Sequence, residues 1–130
     1  MPRPPAIPQP TNAELAILRV LWNEGECTVR EVHERLPERE VGYTTVLKLM
    51  QIMVEKGLVR RNESSRSHVY RAALPEREAQ RQLVTDLVDR AFEGSAASLV
   101  MHALENNLAT AADLAEIRKL LDERSPRSAP

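Results

Sequence analysis

The sequence predicts a mostly α fold with one small β-hairpin, and three observations carry that prediction. Residues 42–72, GYTTVLKLMQIMVEKGLVRRNESSRSHVYRA, show a helical period stopped by a glycine, then two strand-like runs around a polar turn. Two segments upstream each open with a threonine followed three residues later by glutamate, the signature of a capped helix start. Downstream of residue 74 the apolar residues recur at helical spacing only. Helix, helix, helix and then a hairpin is the order of a winged helix-turn-helix, and a C-terminal three-helix region follows it.

Taken in order, five prolines among residues 2 to 10 leave too few backbone donors for regular structure, so residues 1–10 are expected to be a disordered, polyproline-like tail. The first helix should open at Thr11, with Glu14 reaching back, and should carry Leu15, Leu18, Val20, Leu21 and Trp22 before Gly25 ends it. Thr28 with Glu31 opens a shorter helix holding Val29, Val32 and Leu36, and Pro37 closes it.

In the third helix, 100° per residue gathers Val46, Leu49, Met50 and Met53 on one face with Leu47 and Val54 at its flank, and puts Thr44, Lys48, Gln51 and Glu55 opposite. One face is core and the other is free to touch a partner. Gly57 supplies the left-handed stop, and Lys56 complements the negative helix end. The hairpin then runs out through Leu58, Val59 and Arg60 and back through His68, Val69, Tyr70 and Arg71. Between residues 56 and 71 five Lys or Arg face one acid, Glu63, a local balance of 5 − 1 = +4 that should seek phosphate.

Beyond Pro75, a helix to Phe92 places Leu83, Val84, Leu87, Val88 and Ala91 at helical spacing until Gly94 breaks it. Another carries Leu99, Val100, Met101, Ala103 and Leu104, and a last one opens at Thr110 with Asp113 and runs through Leu114, Ile117, Leu120 and Leu121. Three helices this short cannot bury all these stripes among themselves, which points to a second copy; stripes folding back on the N-terminal domain are the alternative. The expected domains are therefore 11–73 for the winged helix and 74–124 for a helical dimerisation region, with 125–130 a loose tail.

At 130 residues the chain is long enough for a core without staples. A single cysteine, Cys27, excludes an intrachain disulfide framework and a multi-cysteine zinc site, and fits a reducing compartment. No run reaches the roughly 18 apolar residues of a membrane span and no signal-peptide core is present, so a soluble cytoplasmic protein is expected. The net charge of −1 divides unevenly along the chain: residues 1–73 carry 11 basic and 9 acidic side chains (+2), residues 74–130 carry 7 and 10 (−3). Any nucleic-acid binding must come from local placement rather than bulk charge.

Catalytic chemistry is missing. There is no Gly-rich phosphate loop and no GxSxG elbow, and His33-Glu34 lacks the second histidine of a zinc protease. His33, His68 and Cys27 sit on separate elements, so neither an enzyme nor a metal or other cofactor is expected. His33 reads as a surface or boundary residue, and His68 as a neighbour of the basic tip.

With these pieces in place, the chain resembles the BlaI/MecI, or penicillinase-repressor, family of transcriptional repressors over residues 11–124. The carrying segments are NAELAILRVLWNEGECTVREVHERL, GYTTVLKLMQIMVEKGLVRR with SRSHVYRA, and SLVMHALENNLATAADLAEIRKLLDER; within them Glu14, Ile17, Leu21 and Trp22 form the leading pattern. The resemblance implies a homodimer that blocks transcription at a double-stranded operator with dyad symmetry, one winged helix on each half-site. Reading helices would then be spaced by about 34 Å or a multiple.

On that footing Thr44, Thr45, Lys48 and Gln51 are expected to face the major groove, and Tyr43 the backbone or a sugar. Capping is the alternative role for Thr44 and Thr45. Arg60, Arg61, Arg66 and His68 would hold flanking phosphates, with Thr28 and Arg30 adding another at the second helix's start. Dimerisation would use Leu83, Val84, Leu87, Val88, Leu99, Val100, Leu104, Leu114, Ile117, Leu120 and Leu121. The resemblance also implies a signalling protease that cuts an Asn-Phe bond; the aligned pair here is His102-Ala103, a departure from that pattern. The C-terminal cysteine motif of copper-responsive relatives is absent. A winged helix used only as a protein-interaction module is the other reading of the same pattern.

Overall fold

The computed structural model describes residues 7–37, 41–64 and 66–124. Among these, the elements run α1 (Asn12–Glu24), α2 (Val29–Arg35), α3 (Tyr43–Lys56), β1 (Val59–Asn62), β2 (Val69–Ala72), α4 (Glu76–Ala91), α5 (Ala96–Glu105) and α6 (Ala111–Arg124). The fold is thus mostly helical with one antiparallel hairpin, in the winged helix-turn-helix order. Contacts divide the chain into two compact units, one ending at Thr85 and the other starting at Asp86. The boundary expected at 73/74 falls just ahead of α4, whereas the first unit keeps that helix's opening turns.

Local chemistry accounts for the helix starts. Thr11 accepts from the Glu14 amide at 3.2 Å while the Glu14 carboxylate accepts from the Thr11 amide at 2.9 Å, and Thr28 with Glu31 repeats the exchange at 3.2 and 2.8 Å. The same reciprocal pair joins Thr110 and Asp113 ahead of α6. Each box satisfies two amides that a helix start leaves without intrahelical partners. At the other end of α3, Gly57 adopts φ 81°, ψ 15°, and the Leu58 amide reaches back to the Met53 carbonyl. That left-handed residue turns the chain directly into β1.

The core of the first unit is built from α1, α2, α3 and the hairpin. Ile17, Leu18 and Leu21 of α1 meet Val32 of α2, Val46, Met50 and Met53 of α3, and Leu58, Val59 and Tyr70 around the wing, all nearly inaccessible. Leu49, expected in the centre of the α3 face, sits at its margin with Leu47 and Val54. The hairpin register pairs Val59 with Ala72, Arg60 with Arg71, Arg61 with Tyr70 and Asn62 with Val69. Directly paired residues share a face, so Val59 and Tyr70 turn to the core and Arg60 and Arg71 turn outward. Cys27 extends the sheet by a single bridge, exchanging backbone hydrogen bonds of 3.0 and 2.8 Å with Tyr70. Burial pushes its thiol pKa up, and the nearby Glu31 carboxylate adds to this, so Cys27 is a small packed residue and a poor nucleophile.

Two clamps were absent from the sequence reading. Glu14, 1% exposed, receives the Lys56 ammonium on both carboxylate oxygens at 2.8 and 3.1 Å, tying the start of α1 to the end of α3. The Trp22 indole donates to the Leu74 carbonyl at 3.0 Å and fixes the segment ahead of α4. The tail expected over residues 1–10 is shorter than that, because Ile7 packs against the core and its amide donates to Gln82 Oε1 at 3.0 Å. An apolar side chain and one satisfied donor suffice to hold that stretch. The remaining expected tail, residues 1–6 and 125–130, lies outside the described residues.

In the second unit the helices have little interior. Ser95 caps α5 by accepting from the Ser98 amide at 3.0 Å, a start that the sequence reading left unmarked, and neither α5 nor α6 contains a buried residue.

Candidate nucleic-acid interface

The outward stripe of α3 is exposed, as the angular argument expects. Thr44, Thr45, Lys48 and Gln51 are all exposed, while Val46, Met50 and Met53 of the same helix are completely buried. Gly42 caps the helix without a side-chain hydrogen bond, so neither threonine is needed as the cap residue itself. Tyr43, 46% exposed, stands at the entrance with its ring edge-on to His33, the ring centres 6.1 Å apart. His33 is also held: its Nε2 lies 2.8 Å from the Val41 carbonyl. The residue read as surface or boundary is half-buried and braces the approach to α3, a contact that spans the turn between two helices and has no local sequence mark.

Beside this helix an open groove of about 460 Å³ is lined by Thr28, Arg30, Tyr43, Arg66, Ser67 and His68 together with Val29, Leu47 and Tyr70. The start of α2, the start of α3 and the tip of the wing therefore converge, and five of the expected contact residues share one concavity. Ser67 is an addition; its place in the turn, between Arg66 and His68, is the signal that could have found it. The exposed hydroxyls and cations here offer donors to phosphate oxygens, and the α3 stripe offers hydroxyls, an amide and an ammonium to base edges.

Arg60 and Arg61 lie elsewhere. They line a second groove with Lys56, Gly57, Ile7 and Leu74, at the base of the wing. Arg60 is exposed and faces Arg71 across the ladder, a like-charge pair favoured by a nearby anion. Strand alternation would have placed Arg71 with Arg60, yet it was left out of the expected contacts. Arg61 turns inward: Tyr70 and Glu63 both favour its charged form, Glu63 lies 3.5 Å away, and its Nε is buried with no partner. Glu63 also approaches His68 Nε2 at 3.9 Å. The local balance of +4 thus overstates the free charge, since Lys56 is held by Glu14 and Arg61 by Glu63.

Of the residues expected to dimerise, Val84, Leu87, Val100, Leu114, Leu120 and Leu121 are exposed, and Leu83, Leu99, Leu104 and Ile117 are half-buried. Val88, at 9% exposure, is already covered by its own chain and offers little to a partner. Met101 and Leu108, the latter 74% exposed, join the apolar set without having been marked for it. His102 and Ala103 lie inside α5, where the His102 carbonyl accepts from Asn106. Among the described residues, no group of three or more His, Cys, Asp or Glu could hold a metal ion, and no helix is long and apolar enough to cross a membrane.

The family model described as penicillinase repressor matches residues 10–123. The chain belongs to the penicillinase repressor family. Within it, the chain is 33% identical over 124 residues to the transcriptional regulator BlaI of Mycobacterium tuberculosis H37Rv, covering 89% of this chain and 90% of that one. It is 24% identical over 122 residues to the penicillinase repressor of Bacillus licheniformis, covering 93% and 95%. Among solved structures, a mutant of MarR from E. coli complexed with operator DNA superposes with a TM-score of 0.50 at 18% identity, over 91% of this chain and 77% of that one, a likeness of fold. The penicillinase repressor match spans the wing, the reading helix and all three C-terminal helices, so the family assignment covers both units.

Proposed function

We propose that the chain is a homodimeric transcriptional repressor that binds a dyad-symmetric operator in double-stranded DNA, α3 in the major groove and the wing tip on the flanking backbone. The single observation that supports this best is the division of α3 into a completely buried apolar face and an exposed Thr44, Thr45, Lys48, Gln51 stripe beside a groove that gathers Thr28, Arg30, Tyr43, Arg66 and His68. Base-reading groups and phosphate-holding groups stand side by side, which is what a half-site demands. Dimerisation through the exposed apolar residues of α4, α5 and α6 would present two such surfaces along one duplex.

Binding to fragments selected from genomic DNA should weaken steeply as salt rises, through release of counterions from the neutralised phosphates. Lys48→Ala should cost about 1 to 2 kcal/mol on the selected site and much less on unrelated duplex, and Arg66→Ala should weaken all duplexes alike while lowering the salt slope by about one. A flat salt response, or two variants that bind like the parent, would remove this assignment. Absence of duplex binding even at low salt would favour a winged helix serving protein interaction. Inactivation by a signalling protease at His102-Ala103 would need α5 to unwind locally, because that bond lies within its hydrogen-bonded turns.

A further inference from the structure

Glu63 is the only acid between Lys56 and Arg71, and it sits at the tip of the wing, where repulsion from a DNA backbone would be greatest. The Asn62 side chain accepts from the Ser64 amide at 2.9 Å, closing an Asx turn around the Glu63 backbone. From there its two oxygens address two different bases, Oε2 lying 3.5 Å from Arg61 and Oε1 3.9 Å from His68. Its side chain is 59% exposed, whereas the Arg61 side chain is 29% exposed. One carboxylate thus lies against two cation-capable side chains, each of which could instead meet a phosphate oxygen.

We infer that Glu63 is a resident anion of the wing, occupying Arg61 and His68 in the free protein and giving way to a DNA phosphodiester on binding. This rests on the DNA-binding reading above and deepens it. Exposed ion pairs of this length are weak, so a phosphate brought in by the groove and the α3 stripe can displace the carboxylate, which then turns to solvent. A duplex held by backbone contacts alone gets less help with the exchange than one that also satisfies Thr44, Thr45, Lys48 and Gln51. Glu63 therefore weakens binding to arbitrary sequence and widens the margin in favour of the operator.

The test uses the full-length chain, a mixed-sequence duplex and a fragment selected from genomic DNA. Glu63→Gln, a change at an exposed position, should tighten the mixed-sequence duplex by about three- to tenfold and the selected fragment by less. The decisive measurement is a double-mutant cycle: in an Arg61→Gln background the gain from Glu63→Gln should shrink to below about twofold, and in a His68→Gln background it should shrink as well. The His68 cycle keeps the test valid should Arg61→Gln fail to fold. Equal gains in all backgrounds would mean simple charge repulsion and would overturn the inference, as would no gain at all. If the unchanged protein binds neither duplex, the DNA reading itself falls and the inference with it, an outcome separate from loss of the Glu63 effect alone.

Discussion

The helices of the two units have similar lengths and comparable apolar content, yet they use it differently. In the first unit, Ile17, Val32, Val46, Met50 and Met53 reach zero exposure, whereas α5 and α6 contain no fully buried residue and leave Val100, Met101, Leu114, Leu120 and Leu121 open, with Leu108 exposed between them. Three helices and a hairpin meeting at one centre can cover each other's stripes, while the described residues of the second unit include no sheet against which its helices could close. Amphipathic spacing therefore marks which face will be buried, but not by what. In the wing domain the answer is the chain itself; for the C-terminal helices the proposed second copy would supply it.

Three variants would break or sharpen this contrast. The largest effect is expected at the centre of the first unit, where Ile17→Ala should cost about 2 to 5 kcal/mol by leaving a cavity that α2 and α3 cannot fill. Thermal unfolding followed through the wing domain would show it, and a loss below 1 kcal/mol would mean that this core is looser than its burial indicates.

Next comes the clamp between α1 and α3. Burial pushes the Glu14 carboxyl up, but Lys56 and the Thr11 amide and hydroxyl outweigh it and hold the pKa below the ordinary carboxylate value. A lowered folded pKa contributes stability that is present above the unfolded pKa and lost as pH falls through the folded one. Lys56→Met removes the main opposing group and leaves a buried charge, at a cost of about 2 to 3 kcal/mol near neutral pH, discounted because the lysine is one-third exposed. The difference from the parent should narrow as pH drops through the carboxylate range, where Glu14 can neutralise. A difference independent of pH would show that packing of the lysine stem, not charge, is what matters.

The smallest effect on folding is expected at the open face. Leu120→Lys with Leu121→Lys should change the stability of the wing domain by no more than about 0.5 kcal/mol, since neither side chain is buried. Sedimentation should nevertheless show dissociation to monomers, with weaker operator binding. A double variant that stays dimeric would move the interface away from α6.

The legible features were those written within a few residues of one another. The Thr11/Glu14, Thr28/Glu31 and Thr110/Asp113 boxes, the Gly57 stop and the buried Val46, Met50, Met53 face follow from local spacing, and the structure reproduces them. What escaped was long-range or tertiary. Lys56 reads as a helix-end cation until Glu14, 42 positions away, is brought beneath it. Arg61 reads as one more basic wing residue until the register places it beside Tyr70 on the inward face. In the candidate interface, the α3 stripe is readable from angle alone, but which of the adjacent Arg60 and Arg61 turns outward depends on strand parity fixed only by pairing.

The Trp22 tie to Leu74 has a practical consequence. It is the chain's only tryptophan, and both ends of that hydrogen bond lie in the first unit. Intrinsic indole fluorescence therefore watches one half of the molecule, while far-ultraviolet circular dichroism sums the helices of both. Melting curves that separate between the two signals, and converge as protein concentration rises, would time the loss of the proposed subunit pairing against the unfolding of the first unit in one unlabelled sample.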